Sequence, residues 1–185
     1  SGTTGAGKTT FLSALLNDLP RNTRVITCEE VFELKIDLID QVRLQTRDHN
    51  LDSKGEVDLR RLIKEALRMR PDRLILGEVR QAEALDLLIA LNSGICGMAT
   101  IHANSAQDAI NKIFLLPLLG GPNIQENFIK RTASKVIKYV IHLSRDIYGF
   151  RFVSEIVEII PNNTNDFFEF KEIYKYNNSR LNVAV

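Results

Sequence analysis

A short run near the start of this chain has the residue types and the spacing to hold a phosphate. Gly2-Thr3-Thr4-Gly5-Ala6-Gly7-Lys8-Thr9 fits the pattern G-x-x-x-x-G-K-[ST] in full. Glycines let a backbone wrap an anion with its N–H groups pointing inward. The helix expected after Lys8 turns its positive end to the same place. A lysine at that position reaches the β- and γ-phosphates of a nucleotide, and the hydroxyl of Thr9 is suited to hold Mg²⁺.

Breaking a phosphoanhydride also takes carboxylates, one to polarise the attacking water and one to help place the metal. Glu78 follows the apolar run Leu74-Ile75-Leu76-Gly77, and Glu29, Glu30 and Glu33 follow the apolar run Val25 to Cys28. Both groups are expected at the carboxyl ends of buried strands, where parallel α/β sheets bind ligands. Guanidinium groups stabilise phosphoryl charge, and Arg43, Arg47 and Arg80 are the candidates. Arg43 and Arg47 are four apart on an alternating segment, Val42 to Arg47, and so are expected on one strand face. Arg60, Arg61, Arg68, Arg70 and Arg73 read as a solvated or subunit-facing surface. His102 closes the run Met98 to Ile101 at the same expected sheet edge. It is either structural or a phosphate sensor. His49 and His142 lack that context and read as structural.

The elements that must position these groups follow from periodicity. Strand-like and helix-like runs alternate, which predicts an α/β fold with a mainly parallel sheet. Helices are predicted over Thr9 to Leu16, from Leu59 to Leu67, from Glu83 to Leu91, after Ser105, and from Ile124 to about Ser134. Leu59, Leu62, Ile63, Ala66 and Leu67 make one helical stripe. Ser105 with Asp108 is an N-terminal capping arrangement, and Gly94 a helix stop. The last third changes to strands over Val136 to Leu143, Phe152 to Ile160 and Phe167 to Tyr174, with turns at 146–149 and 162–165. These read as antiparallel strands added at the sheet edge. The polar tail from Asn177 is expected to fray.

Composition narrows the function classes. The chain has 185 residues, 44% hydrophobic and 25% charged, as in a folded globular domain rather than a disordered one. Lys and Arg total 24 against 23 Asp and Glu, a net charge of +1, so a globally basic nucleic-acid binder is not indicated. No apolar run approaches the ~18 residues of a membrane span. Cys28 and Cys96 are too few and too far apart for a disulfide framework or a zinc site, and both are expected as buried free thiols in a reducing cytosol. A GTPase would need N-K-x-D, but Asn111-Lys112 leads to Phe114 at the Asp position. The phosphate loop normally sits between a strand and a helix, and no strand precedes Gly2 in this sequence. The expectation is a fragment cut at the motif.

Together these segments resemble the type II/type IV secretion ATPase superfamily, most of all the conjugation and tight-adherence pilus assembly ATPases. Gly2 to Thr10 looks like the Walker A motif of that family. Ile26-Thr27-Cys28-Glu29-Glu30-Val31-Phe32-Glu33-Leu34 looks like its Asp box, with Glu30 where Asp is usual. Ala66-Leu67-Arg68-Met69-Arg70-Pro71-Asp72-Arg73-Leu74-Ile75-Leu76-Gly77-Glu78-Val79-Arg80 looks like its Walker B segment, and Thr100 to Ser105 like its His box. The resemblance implies a RecA-like P-loop fold over residues 1–160, with the first strand and an N-terminal domain absent, and a C-terminal strand and tail over 161–185. It implies ATP and Mg²⁺ as ligands, with Thr10 joining the nucleotide-binding residues and Thr9 and Glu78 on the metal. Glu33 would activate water, Glu78 would be the Walker B glutamate, His102 the His-box histidine, and Arg43 or Arg47 a pocket arginine. A homo-hexameric motor is implied at the cytoplasmic face of the inner membrane. It would work on membrane platform proteins to export or assemble protein, with no direct nucleic-acid contact. The rival readings are a nucleic-acid translocase of the same class and an inactive truncated product.

Overall fold

The computed structural model describes residues 1–49, 55–162 and 167–176. Four parallel strands form the first sheet in the order β2-β1-β3-β4, with β1 at Val25–Glu29, β2 at Gln41–Gln45, β3 at Arg73–Val79 and β4 at Cys96–Ile101. Helices α1 (Lys8–Asn17), α2 (Leu59–Ala66) and α3 (Glu83–Asn92) cover it, and α4 (Ala106–Leu115) and α5 (Glu126–Val136) follow. A second, antiparallel sheet runs β5-β6-β7, with β5 at Tyr139–Arg145, β6 at Arg151–Pro161 and β7 at Phe168–Lys175. The expected parallel sheet with added antiparallel strands is therefore present.

Both faces of the parallel sheet are covered, so its strands read as continuous apolar runs. All five residues of β1 are buried. Side chains alternate between two cores. Ile26, Cys28, Leu74 and Leu76 pack against α2 and α3. Val25 and Ile75 pack against Leu12 and Leu16 of α1 and against Leu34 and Leu38. This alternation places Thr27 and Glu29 on the α1 face, beside the phosphate loop.

The two sheets meet at the first residues of the chain. Gly2 bridges in parallel to both His102 and Leu143. The Leu143 N–H donates to Ser1 O at 2.9 Å, and the Ala103 N–H to Gly2 O at 3.3 Å. Beside this stitch an apolar groove of about 380 Å³ runs between β4 and β5, lined among others by Leu12, Leu88, Met98, Ile101, Ile110 and Val140.

Helix signals in the sequence translate into contacts. Leu59, Leu62, Ile63 and Ala66 are the buried stripe of α2. Leu67 falls in a 3₁₀ turn, Leu67–Met69, that ends on Arg70 with φ 55°, a left-handed stop just before Pro71. The Ser105 hydroxyl accepts from the Asp108 N–H at 3.0 Å and caps α4. Gly94, with φ 98°, follows the end of α3.

Some expectations shift. Strand β2 stops at Gln45, so Arg47 does not share it with Arg43; Arg47 makes a lone antiparallel bridge to Val57 instead. Val136 ends α5, where it packs against Ile129 and Ala133, and β5 begins only at Tyr139. Cys28 is buried, but Cys96 is exposed, because it opens β4 at the strand's outer end. Strand β7 pairs with β6 from Pro161 back to Glu155. Most of the turn expected at 162–165 and the tail from 177 fall outside the described residues. Among the described residues no helix is long and apolar enough to cross a membrane.

Candidate active site

The loop from Gly2 to Thr9 curls because two of its residues take backbone angles that side chains resist. Gly5 has φ 74° and Gly7 φ 90°. Gly7 is also the N-cap of α1, and its carbonyl accepts from the Phe11 N–H at 2.9 Å. Lys8, the first residue of α1, is only 9% exposed. Its ammonium folds back across the loop and donates to Thr3 O at 3.3 Å. It also lies 3.2 Å from Nδ1 and 3.3 Å from Nε2 of His102. Desolvation pulls the Lys8 pKa below its usual value, and the carboxylates of Glu78 and Glu33 work against that pull.

Glu78 stands near the carboxyl end of β3, with its side chain 19% exposed. Arg80 donates to Glu78 Oε2 at 2.8 Å and to Glu30 Oε2 at 2.7 Å, and so bridges the two acidic segments. That pairing, led by the hydrogen bond to Glu78, raises the Arg80 pKa. Glu83 sets the turn: its Oε1 accepts the N–H groups of Arg80 at 2.5 Å and Gln81 at 2.7 Å. His102 Nε2 lies 3.0 Å from Glu78 Oε1. The approach is off the line of a hydrogen bond, so that buried oxygen has no hydrogen-bond partner among the described residues. It is an acceptor aimed into the site. Desolvation first, and then the Lys8 charge, push the His102 pKa below 6.5. A neutral ring follows, whose one acceptor nitrogen takes a hydrogen bond from the Lys8 ammonium.

Glu33 accepts a hydrogen bond from the Thr9 hydroxyl at 3.1 Å. Glu29, only 1% exposed, holds the segment that carries Glu33. Its Oε2 accepts the N–H groups of Glu33 and Leu34, both at 2.9 Å, and its Oε1 accepts from the Thr27 hydroxyl at 3.0 Å. Gly77 makes room for it, since a Cβ there would lie 3.1 Å from Glu29 Cγ. Arg43 lies 3.5 Å from Glu29 and 4.4 Å over the Phe32 ring, behind the acidic segment. Arg47 donates to Gly55 O at 2.7 Å, away from the loop.

One cavity of about 1030 Å³ collects Thr4 to Thr10, Glu29, Glu30, Glu33, Glu78, Arg80 and His102. Gly2 and Thr3 are not among its walls: Gly2 bridges to His102 and Leu143, and Thr3 O accepts from Lys8. Arg43 and Arg47 are not among its walls. Arg151 is, and sequence reasoning missed it. Its Nε donates to Gly5 O at 2.8 Å across 146 positions of chain, a span over which no local pattern signals contact.

The donor set suits a hard cation shared with phosphate. Thr9, Glu33 and Glu78 offer oxygen only, facing one cavity. Among the described residues no group of three His, Cys, Asp or Glu side chains could hold a metal alone. Mg²⁺ is commonly held in this way, by one or two protein oxygens, water and substrate phosphates.

Comparison with known proteins fits this geometry. A sequence profile of the family described as type II/IV secretion system protein matches residues 1–145. The chain belongs to that family. A Mycobacterium tuberculosis protein whose name assigns it to conjugal transfer is 40% identical over 156 residues, covering 84% of this chain and 44% of that one. The type IV secretion system protein PtlH of Bordetella pertussis is 35% identical over 150 residues, covering 78% of this chain and 44% of that one. In three dimensions, the VirB11 ATPase from the Brucella suis type IV secretion system superposes with a TM-score of 0.75 at 30% identity, over 85% of this chain and 46% of that one. The chain thus spans under half the length of the relatives it matches. The family resemblance read from the loop, the acidic segments and the His box holds.

The histidines make stability depend on pH. Burial pushes His142 below 6.5 as it does His102. Below pH 6.5 the unfolded chain therefore binds protons that the folded chain refuses, so stability rises as pH is raised toward that value and levels off above it. Melting temperatures across a pH series should show this, and His102→Gln should flatten part of the slope. A slope unchanged in both His102→Gln and His142→Gln would contradict it.

Proposed function

We propose that this chain is the ATP-hydrolysing part of a motor that drives a secretion, conjugation or pilus assembly machine. The observation that supports it best is that the phosphate loop, Thr9, Glu33 and Glu78 face one cavity. In this reading ATP lies along Gly2 to Thr10, and Lys8 exchanges Thr3 O and His102 for the β- and γ-phosphates. Thr9 and Glu78 would help to hold Mg²⁺, which when bound would supply charge neutralisation for the phosphates. Glu33 takes a proton from the water that attacks the γ-phosphorus as the bond to the β-phosphate oxygen breaks. Arg80 holds Glu78 and Glu30 apart from that water and keeps one positive charge at the reacting end. His102, neutral and set between Lys8 and Glu78, can sense the γ-phosphate through either neighbour.

The assembled form is a homo-hexamer at the cytoplasmic face of the inner membrane. It works on membrane platform proteins and moves protein rather than nucleic acid. The near-balanced charge of the chain supports a protein cargo.

The test is ATP binding and phosphate release by the intact protein and by Lys8→Ala. The variant should lose ATP affinity by about 100-fold or more, since it removes a charge-assisted contact from a largely desolvated site. Its melting temperature without nucleotide should hold. A variant that binds and hydrolyses ATP at the wild-type level would end the proposal.

A further inference from the structure

Arg145 and Arg151 occupy directly opposed positions of the β5–β6 hairpin. The turn between them is held tightly. Asp146 Oδ1 accepts the N–H groups of Tyr148 at 2.9 Å and Phe150 at 2.8 Å, and the Asp146 N–H donates to Phe150 O at 2.9 Å. These bonds close the hairpin with the two arginines paired across it. Like charges directly opposed on a sheet are destabilising unless something of opposite charge lies between or beside them. Among the described residues neither guanidinium has a carboxylate partner.

Both arginines lean on the phosphate loop. Arg151 Nε donates to Gly5 O at 2.8 Å, which leaves its other N–H groups unused. Its Cδ lies 3.1 Å from where a Cβ on Gly7 would stand. Arg145 Nη1 lies 3.7 Å from the corresponding point on Gly5. The absence of side chains at Gly5 and Gly7 thus lets two cations approach the loop from outside. Arg151 also lines the cavity, whereas Arg145 is not among its walls. In sheet order the loop lies between β4 and β5. Arg80 and the acidic residues are on the β3 side, and Arg151 is on the β6 side.

We propose that Arg151, backed by Arg145, is a second cationic clamp that grips the nucleotide at its α- and β-phosphates. It acts from the side opposite to Lys8 and Arg80. This rests on the nucleotide reading of the loop and deepens it. The reacting end of the nucleotide belongs with Glu33, Glu78 and Arg80, so the β6 side is left for the phosphates nearer the nucleoside. The clamp therefore grips ADP as firmly as ATP. It holds the product as well as the substrate, and it slows product release.

Titration calorimetry on the intact protein, with Mg²⁺, ADP and ATP, tests this in Arg151→Gln, Arg145→Gln and Lys8→Ala. Arg151→Gln should weaken ADP and ATP alike by about ten-fold, the size of one charge-assisted hydrogen bond. Arg145→Gln should weaken both by about three-fold. The melting temperature without nucleotide should stay level or rise in each, because an opposed pair of like charges is relieved. Wild-type affinity for both nucleotides in Arg151→Gln overturns the clamp. So does a loss confined to ATP, which would place Arg151 on the γ-phosphate. Weaker binding together with a lower melting temperature without nucleotide makes Arg151 only a latch on Gly5, and that also overturns it. Undiminished nucleotide binding in Lys8→Ala is a different failure, because it removes the nucleotide reading itself.

Discussion

Glu78→Gln should lower the rate of ATP hydrolysis about 100- to 1000-fold while ATP affinity stays within about three-fold of wild type, the range expected when a group acts on the reaction and not on binding. The shape of the site predicts this split. An amide has the same outline as the carboxylate, and its oxygen can still accept from Arg80, which now donates to Glu78 Oε2 at 2.8 Å. Its NH₂ would face His102, and the neutral ring can turn its one acceptor nitrogen to that group while Lys8 keeps Thr3 O as its acceptor. Fold and loop should therefore survive. What disappears is the negative charge beside the ion and the unpartnered acceptor, Glu78 Oε1, aimed into the cavity. Single-turnover phosphate release measures the rate, and equilibrium titration with ATP measures the affinity. Equal rates in the variant and wild type would exclude Glu78 from the chemistry. A loss of affinity equal to the loss of rate would make it a binding residue only.

Much of this site can be read from the sequence, because its central part is contiguous. The loop is built from its own backbone with Lys8 and Thr9 at its end, so the motif and the structure are nearly one object. Glu78 was readable for a related reason. A short apolar run with no polar interruption is a buried parallel strand, and its last residues lie where ligands bind. The arginines were harder. Arg43 and Arg47 share a spacing that suits one strand face, but β2 ends at Gln45 once its pairing with β1 runs out at Glu29. Arg43 was left behind the acidic segment, and Arg47 was carried off toward Gly55. Arg151 reaches Gly5 only because β5 stands next to Gly2 and the hairpin returns β6 alongside it. No periodicity reports on such a contact. The sequence puts His102 at the sheet edge, but its position between Lys8 and Glu78 depends on the register of β4 against β3, which shifts between Leu76 and Val79.

The acids after β1 show the same limit, and they carry the second large effect. Glu29, Glu30 and Glu33 look alike in sequence, but burial gives them different work. Glu29 is interior, Glu30 pairs with Arg80, and Glu33 meets Thr9. Glu29→Ala should destabilise the fold by about 3 kcal/mol. It strands two buried or half-buried N–H groups, those of Glu33 and Leu34, and removes the carboxylate from Arg43. Hydrolysis should fall further than folding explains, by about 100-fold at temperatures where the variant is folded. The reason is that Glu33 hangs on a segment no longer tied to the end of β1, and small misplacements of a reacting group are costly. Glu29→Gln separates the two causes. Its amide oxygen can keep both N–H bonds to the segment, while its NH₂ turns toward Thr27 and Arg43. Glu33 should then stay in place and most of the rate should return, at a remaining stability cost of about 1 kcal/mol for the lost pairing with Arg43. Urea melts and saturating-ATP rates on the two variants decide the matter. If Glu29→Gln were as slow as Glu29→Ala, the negative charge of Glu29 and not its grip on the segment would be what Glu33 needs.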